Sequence, residues 1–364
     1  MNRREFLITL AGIPFILSGK NKEELYPARY YKKLENRKVQ CLNCPHHCIL
    51  KNNETGFCRV RKNIDGELYS LVFGKPCAVH IDPIEKKPLF HFYPGTTAFS
   101  IATAGCNFRC KYCQNYSISQ VGPDETINYN LSPKELIENA MIYRRKYNIS
   151  TIAYTYTEPV VFFEFMFEIA KVARENGFKN MFHSNGFIEE EPLREIINYL
   201  DAANIDLKFF NEKNYKDISA GSLNPVLRTL KILKEKKVHL EITNLVIPTL
   251  NDNLDEIKNM VIWIKENLGT DTPVHFSCFF PTYQLTNLPP TPVSTVEKAR
   301  DVALKEGMKF VYLGNVPRGH PGENTYCPNC NELLIKRWGF DILENKIKNG
   351  KCPKCKTKIE GVFE

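Results

Sequence analysis

The middle of the chain alternates between short apolar, β-rich runs and longer charged segments whose apolar positions recur at helical spacing. The apolar runs predict strands at 97–103, 150–156, 180–183, 203–208, 240–247, 274–279 and 310–313. The charged segments predict helices at 133–147, 162–175, 190–200, 225–237, 254–268 and 295–306. Such alternation is typical of parallel strands joined by crossover helices, so residues 95–320 are predicted to form an α/β barrel or part of one.

Polar residues follow or end most of these predicted strands. Barrel enzymes collect their catalytic groups at the carboxyl ends of the strands, so this series indicates a functional site. The candidates are Glu158, Asn185, Asp206, Lys208, His275 (on its strand) and Asn315.

Three closely spaced cysteines come directly after the first predicted strand. Cys106, Cys110 and Cys113 have the spacing Cys-x3-Cys-x2-Cys. A [4Fe-4S] cluster normally takes four thiolates, so three thiolates leave one iron open. An open iron can bind a substrate or cofactor, as a catalytic zinc does with its free position.

This motif, with the aromatic Tyr112 just before its last cysteine, resembles the signature of radical S-adenosylmethionine (SAM) enzymes. The resemblance implies a partial (β/α)6-type TIM barrel and a [4Fe-4S] cluster held by Cys106, Cys110 and Cys113. It further implies that SAM chelates the open iron and is cleaved by one electron to methionine and a 5′-deoxyadenosyl radical. A zinc site or a buried cysteine cluster is the alternative.

Two further segments resemble the SAM contacts of this superfamily. Thr155-Tyr156-Thr157-Glu158-Pro159 resembles its Gly-Gly-Glu-Pro segment, with Tyr156 and Thr157 in place of the glycines. Asp206, Lys208 and His275 resemble positions of glycyl-radical-enzyme activating proteins, such as the activator of pyruvate formate-lyase. The resemblance implies that these residues, with Glu158 and Asn185, bind SAM. The alternatives are a salt bridge for Asp206 and Lys208, a core histidine for His275 and a turn cap for Asn185.

Two more cysteine sets flank the predicted barrel. Cys41, Cys44, Cys48 and Cys58 indicate a metal site, for which a second [4Fe-4S] cluster and a structural zinc both remain open. His46 and His47 are expected to flank this site. The C-terminal set has the two-knuckle pattern of a zinc ribbon, formed by Cys327, Cys330, Cys352 and Cys355.

Together these flanks and the central motif resemble the AmmeMemoRadiSam-system radical SAM enzymes over residues 41–330. That group is related to pyruvate formate-lyase activating enzymes. The resemblance implies hydrogen abstraction from a substrate. Two substrate classes remain open: a protein partner on which a glycyl radical forms, and a small molecule or other macromolecule that is modified. It also implies a low-potential electron donor of the flavodoxin or ferredoxin type. An iron–sulfur electron carrier without enzymatic activity is the third reading.

Composition adds limits to this picture. The chain has 364 residues, a formal net charge of +8 and 13 cysteines. The basic excess is spread out and indicates solvated faces rather than a nucleic-acid site. Cysteines clustered at short gaps indicate metal rather than disulfides, whereas the isolated Cys77 and Cys278 are typical of small buried hydrophobic residues.

The first 20 residues resemble a twin-arginine signal, because Arg3 and Arg4 precede an uncharged run. We favour an enzyme that is cytoplasmic, or tethered at the cytoplasmic face of the membrane by this segment, over twin-arginine export, because SAM and low-potential reductants are cytoplasmic. The predicted organisation is therefore a signal or anchor at 1–20, a cysteine-rich module at 21–94, the barrel at 95–320 and a zinc-ribbon-like segment at 321–364.

Overall fold

The computed structural model describes residues 25–364, so the twin-arginine-like segment lies outside the described residues. The described chain divides into two compact units. The first contains residues 25–82, 96–109 and 115–201, and the second contains 83–95, 110–114 and 202–364. Within the described part of the chain, no helix is long and apolar enough to cross a membrane.

The first unit begins with two small antiparallel sheets. One has the order β1-β6-β5 and the other β2-β3-β4. Their strands are β1 (Tyr26–Pro27), β2 (Tyr31–Lys33), β3 (Val39–Cys41), β4 (Ile49–Leu50), β5 (Arg61–Ile64) and β6 (Glu67–Ser70). A small apolar core of Ala28, Val39, Leu50 and Leu68 includes Cys41, and Cys48 packs against it. Two of the four N-terminal cysteines are therefore part of, or packed against, a small apolar core.

A second set of strands in this unit forms the run β7-β8-β9-β10. The strands are β7 (Ala78–Pro83), β8 (Thr97–Ala102), β9 (Ile149–Tyr154) and β10 (Lys179–Ser184). Strand β9 pairs in parallel with both β8 and β10. The helices are α1 (Tyr116–Ser119), α2 (Pro133–Tyr147), α3 (Phe163–Glu175) and α4 (Glu190–Ile196). These crossovers bring the carboxyl ends of β8, β9 and β10 to the same edge.

Helix α2 begins where the sequence predicts. Ser132 Oγ accepts a hydrogen bond from the Glu135 backbone N–H, and the Glu135 carboxylate accepts one from the Ser132 backbone N–H at 2.8 Å. This reciprocal arrangement satisfies two donors of the first turn, and Pro133 at the first helical position loses no bond.

In the second unit, four parallel strands have the order β14-β13-β12-β11. They are β11 (Ala202–Asp206), β12 (His239–Val246), β13 (Val274–Cys278) and β14 (Val311–Gly314). The helices are α5 (Glu212–Asn214), α6 (Leu223–Glu235), α7 (Leu254–Leu268) and α8 (Val293–Lys305). Helix α6 starts two residues earlier than predicted, because Pro225 is tolerated inside a first turn.

The second unit ends in an antiparallel sheet of β15 (Thr325–Tyr326), β16 (Leu333–Trp338) and β17 (Asp341–Asn345). Cys327 and Cys352 are buried in an apolar cluster with Phe90, Phe310 and Tyr312. The C-terminal segment is therefore packed into the core of this unit rather than being an appendage.

The predicted α/β class is confirmed, since all seven predicted strands of 95–320 are present within a few residues of their expected bounds. The α-helix predicted at 190–200 ends at Ile196, and a 3-10 turn at Ile197–Tyr199 completes the segment. Strand β7 and the small sheets before residue 95 had no predicted counterpart, because their two- to six-residue lengths give too little periodicity.

Candidate functional site

The loop that carries Cys106 leaves β8 through a glycine with a left-handed backbone. Gly105 has φ +91°, and a Cβ there would lie 2.6 Å from both the Cys58 carbonyl oxygen and Val60 Cγ1. Only glycine fits such a close approach. Cys106 Sγ then accepts a hydrogen bond from the Phe108 backbone N–H at 3.3 Å. The first cysteine of the motif is thus held at the carboxyl edge of a parallel strand.

Glu158 and Asn185 meet Cys106 in the first unit. The buried Glu158 carboxylate accepts hydrogen bonds from Ser184 Oγ at 2.7 Å and from the Asn185 backbone N–H at 2.8 Å. Asn185 Nδ2 lies 4.0 Å from Cys106 Sγ and donates to Asn107 Oδ1 at 2.8 Å. The ends of β8, β9 and β10 therefore share one polar network, of which Asn107 was not predicted from the sequence.

Tyr156 has a backbone conformation that suits glycine. Its φ is +64°, a left-handed value that is uncommon for an aromatic residue. The Tyr156 carbonyl accepts a hydrogen bond from Asn115 Nδ2 at 2.7 Å, and its hydroxyl donates to Asp82. The turn before Glu158 thus keeps a glycine-like conformation, although the glycines of the resembling segment are replaced.

The other two cysteines of the motif belong to the second unit. Cys110 Sγ lies 3.4 Å from Ser219 Oγ, and the Lys111 backbone N–H donates to the Ile218 carbonyl at 3.0 Å. Burial raises the pKa of the Cys110 thiol, and the positive charge of Lys208 opposes that rise. Cys110 thus has a cation near it that favours the thiolate, the form in which cysteine binds metal.

Asp206 and Lys208 form a pair at the end of β11. Lys208 Nζ donates to Asp206 Oδ2 at 2.9 Å and lies 5.8 Å from the centre of the Tyr112 ring. Burial lowers the pKa of Lys208, but interactions with Asp206, Tyr112 and Cys110 together outweigh burial, so the pKa is raised and the amine stays charged. The salt bridge that is the alternative to SAM binding for this pair is present, and it holds a cation beside the aromatic residue of the cysteine motif.

His275 has different partners. Its Nε2 lies 2.6 Å from the fully buried Glu241 carboxylate, which also accepts a hydrogen bond from the His91 backbone N–H at 2.7 Å. Burial raises the pKa of Glu241, but hydrogen bonds from His239 and His275 outweigh it and hold the pKa well below its usual value. Neither Asp206 nor Lys208 is among these contacts, and Glu241 was not predicted from the sequence.

The N-terminal cysteines line one cavity in the first unit. The void has a volume of about 370 Å³ with its open mouth included, and its lining contains Cys41, Cys44, Cys48 and Cys58. Burial raises the pKa of the Cys58 thiol to about 11. His46 and His47 also line the cavity, but their Nε2 atoms contact the Asn107 carbonyl at 2.7 Å and the Glu189 carboxylate at 3.1 Å.

A buried ion pair beside this cavity was not predicted from the sequence. Arg61 Nη2 donates to both carboxylate oxygens of Glu164, at 2.8 and 2.7 Å, and both side chains are almost fully buried. Arg61 lines the cavity and lowers the pKa of Cys58, although burial is the larger effect and raises it. Sequence alone gives no signal for a pair whose members are 103 residues apart.

The C-terminal cysteines form a compact set in the second unit. Cys327 Sγ lies 3.5 Å from Cys355 Sγ, and Cys330 Sγ lies 3.7 Å from Cys352 Sγ. All four sulfur atoms lie within 4.8 Å of one another, and no other group among residues 25–364 brings three or more cysteine, histidine or acidic ligand atoms so close. The spacing of these four sulfur atoms could hold a metal ion.

Fold and site together define a class: an α/β protein with a metal-binding cysteine motif after a parallel strand. Residues 100–264 match the family model for the radical SAM superfamily. An uncharacterised protein of Methanocaldococcus jannaschii is 49% identical over 338 residues, covering 92% of this chain and 99% of that protein. The chain belongs to the radical SAM superfamily.

Other similarities are more distant. The pyruvate formate-lyase-activating enzyme of Clostridium pasteurianum is 25% identical over 164 residues, covering 44% of this chain and 66% of that enzyme. The crystal structure of a radical SAM methyltransferase from Sphaerobacter thermophilus has a TM-score of 0.46 at 12% identity, covering 79% of this chain and 76% of that chain. The protein is a radical SAM enzyme of the oxidoreductase type, close to activating enzymes.

The residues present fit the cofactors that this superfamily implies, a [4Fe-4S] cluster and SAM. The motif supplies three thiolates. Cys106 Sγ has the Phe108 backbone N–H within hydrogen-bond distance, and such donors stabilise a thiolate. A lysine on the Cys110 side supplies positive charge.

Proposed function

We propose that the chain cleaves SAM reductively at a [4Fe-4S] cluster held by Cys106, Cys110 and Cys113, and that the resulting radical abstracts hydrogen from a substrate. The supporting observation is that Cys106 shares a buried hydrogen-bond network with Glu158 and Asn185. When bound, the cluster and SAM supply methionine and a 5′-deoxyadenosyl radical in exchange for one electron. The radical takes a hydrogen atom and leaves as 5′-deoxyadenosine.

The protein's own residues orient SAM in this proposal. Glu158, whose carboxylate accepts backbone N–H groups from Asn185 and Val160, would bind the SAM ammonium group. Lys208 Nζ, which donates to Asp206, would pair with the SAM carboxylate. In this proposal His275, whose Nε2 contacts the Glu241 carboxylate, stabilises the neighbouring strands and does not bind SAM.

We further propose a protein substrate on which the radical generates a glycyl radical. The similarity to an enzyme named as a pyruvate formate-lyase activator supports this class. A flavodoxin- or ferredoxin-type donor would supply the electron, in the cytoplasm. Modification of a small molecule is the alternative substrate class.

We assign zinc to the C-terminal set. Zn–S bonds of about 2.3 Å in a tetrahedron place the sulfur atoms roughly 3.8 Å apart. The pairs at 3.5 and 3.7 Å match that spacing. A bound zinc would close the segment after Tyr326 and stabilise its packing, as structural zinc does in small modules.

The test is anaerobic incubation of reconstituted, reduced protein with SAM, followed by measurement of 5′-deoxyadenosine and methionine. We expect both products from the wild type and neither from Cys110→Ala above a cluster-free control. Cys110→Ala should keep its zinc, because the two sites share no ligand. Absence of 5′-deoxyadenosine from iron-loaded wild type would refute the proposal. A glycyl-radical signal on a candidate protein partner, detected by electron paramagnetic resonance (EPR), would separate the two substrate classes.

A further inference from the structure

We propose that Cys41, Cys44, Cys48 and Cys58 hold an iron–sulfur cluster rather than zinc, and that this cluster exchanges electrons with the iron bound through Cys106. Only the electron exchange rests on the proposed function; the identity of the metal does not. The inference comes from sulfur spacing, from unsatisfied donors in the cavity wall and from the backbone contacts that join this cavity to the Cys106 loop.

The spacing of the sulfur atoms separates the two metals. A single zinc ion holds its four thiolates within roughly 4 Å of one another. The C-terminal set meets a 4.8 Å limit, whereas no three ligand atoms of the N-terminal set do, within the part of the chain that the structure describes. All four N-terminal cysteines nevertheless line one cavity. A cluster of several irons and sulfides is larger than one ion and holds its thiolates farther apart, as this cavity does.

The cavity wall carries hydrogen-bond donors that no protein group satisfies. Arg61 is 2% exposed and lines the cavity. Its Nη2 donates a hydrogen bond to the Glu164 carboxylate, but its Nε and Nη1 have no hydrogen-bond partner among the described residues. Leaving buried guanidinium N–H groups unpaired costs several kcal/mol in general, roughly 1–3 for each group. Cluster sulfides and thiolates are acceptors that would satisfy them.

The backbone of the cavity wall lies close to two of the proposed ligands. A Cβ at Gly56 would lie 3.8 Å from Cys58 Sγ and 3.9 Å from Cys48 Sγ, so the main chain passes close to two ligands. The Phe57 backbone N–H lies 3.5 Å from Cys48 Sγ and is oriented to donate to it. Backbone donors to ligand sulfurs tune iron–sulfur clusters and set their potential.

The cavity adjoins the loop of Cys106 within the first unit. Gly105 approaches the Cys58 carbonyl so closely that a side chain would not fit. His46 Nε2 contacts the Asn107 carbonyl at 2.7 Å, and the Arg109 guanidinium lies 4.0 Å from the Phe57 ring centre and donates to the Phe57 carbonyl. The ligand Cys58 and the ligand Cys106 are therefore joined through directly contacting main chain, a short route for an electron.

The proposed exchange moves one electron at a time. A low-potential one-electron donor is oxidised by one electron and the N-terminal cluster is reduced by one. The reduced cluster returns to its oxidised state when that electron passes to the iron at Cys106, where SAM cleavage consumes it. No bond within the N-terminal cluster forms or breaks.

The experiment removes one cysteine set at a time and counts metals. Cys106→Ala/Cys110→Ala/Cys113→Ala and Cys41→Ala/Cys44→Ala/Cys48→Ala are reconstituted anaerobically beside the wild type. We expect about eight irons per chain in the wild type and about four in each variant, with matching acid-labile sulfide and about one zinc throughout. Circular dichroism and urea unfolding check that each variant is folded, and the constant zinc reports on the C-terminal segment.

Two results would overturn the assignment. The first is that the variant lacking Cys106, Cys110 and Cys113 binds about two zinc ions and no iron. The second is that this variant is folded and keeps its single zinc but binds no other metal. Iron retained by that variant while the wild type cleaves no SAM would refute the proposed function and leave the cluster standing.

Electron exchange has its own readout. The EPR spectrum of the fully reduced wild type should differ from the sum of the two variants' spectra, because two nearby paramagnetic clusters broaden each other's signals. A wild-type spectrum equal to the sum would refute the exchange.

Discussion

The two flanking cysteine sets have the same number of thiols but different geometry. The C-terminal sulfur atoms already lie within 4.8 Å of one another, whereas the N-terminal ones are spread around a cavity. Each set also lies near a buried arginine. Arg61 pairs with the carboxylate of Glu164, and Arg337 donates to neutral groups, the Phe90 carbonyl and Thr325 Oγ1. Ligand type alone therefore does not decide what a site binds.

The two arginines differ in the groups that accept their hydrogen bonds. Arg61 has a full counter-charge in contact, and two of its nitrogen atoms remain available to the cavity. Arg337 donates to the Glu323 carbonyl at 3.1 Å, and its Nε has no hydrogen-bond partner among the described residues. The two arginines therefore differ in counter-charge, because Arg61 contacts a carboxylate and Arg337 donates to uncharged groups.

The largest effect is expected for Cys352→Ala. Cys352 is fully buried in the apolar cluster of the second unit, so losing its thiolate removes the metal and opens that core. We expect loss of the zinc and a free energy of unfolding lower by about 5 kcal/mol or more. Zinc content, limited proteolysis after Tyr326 and urea unfolding measure this.

The matched control is Cys77→Ala, a change at an isolated cysteine, which should keep the zinc. Wild-type zinc in folded Cys352→Ala would show that the C-terminal set is not a four-thiolate site.

The next effect concerns Arg61→Met. It leaves the Glu164 carboxylate buried without its partner, which should lower the free energy of unfolding by about 3–5 kcal/mol. Arg337→Met is the comparison, because it leaves only neutral acceptors unpaired and should cost about 1–3 kcal/mol. Urea unfolding of both variants checks the order. Arg61→Met/Glu164→Met should recover most of the loss, and equal costs for the two single variants would break the comparison.

The smallest effect is a pH dependence at Glu85. Burial raises the pKa of this carboxyl to about 7, against an opposing effect of Arg337, and Glu85 Oε1 accepts the Gly95 backbone N–H at 2.9 Å. A raised folded-state pKa contributes stability that is complete below the ordinary value of 4.5 and is lost as pH rises through about 7. The contribution lost is about 3 kcal/mol.

Glu85→Gln keeps the accepted hydrogen bond and removes the charge. It should therefore leave stability unchanged near pH 4.5 and raise the free energy of unfolding above pH 8, relative to wild type. Urea unfolding at several pH values measures the difference. Parallel curves for wild type and variant would show that Glu85 does not titrate in this range.

Much of the framework follows from local pattern. Helix α2 begins at its predicted capping box, because Ser132, Pro133 and Glu135 lie within four residues of one another and determine that end locally. The parallel strands follow from apolar runs for the same reason. By contrast, His275 matches a SAM-contact position by sequence, yet its Nε2 is joined to Glu241, a residue on another strand. Which strand neighbours face one another depends on register, which the sequence does not state.

The sequence by itself determined the alternation of strands and helices, the three cysteine sets and the superfamily, because each depends on residues close together along the chain. The tertiary structure alone decided the distances between sulfur atoms, the pairing of Arg61 with Glu164 and the contact of Gly105 with Cys58. These features join residues tens to more than a hundred positions apart. Their geometry is set by packing of the whole unit, and that packing places the C-terminal sulfur atoms closer together than the N-terminal ones.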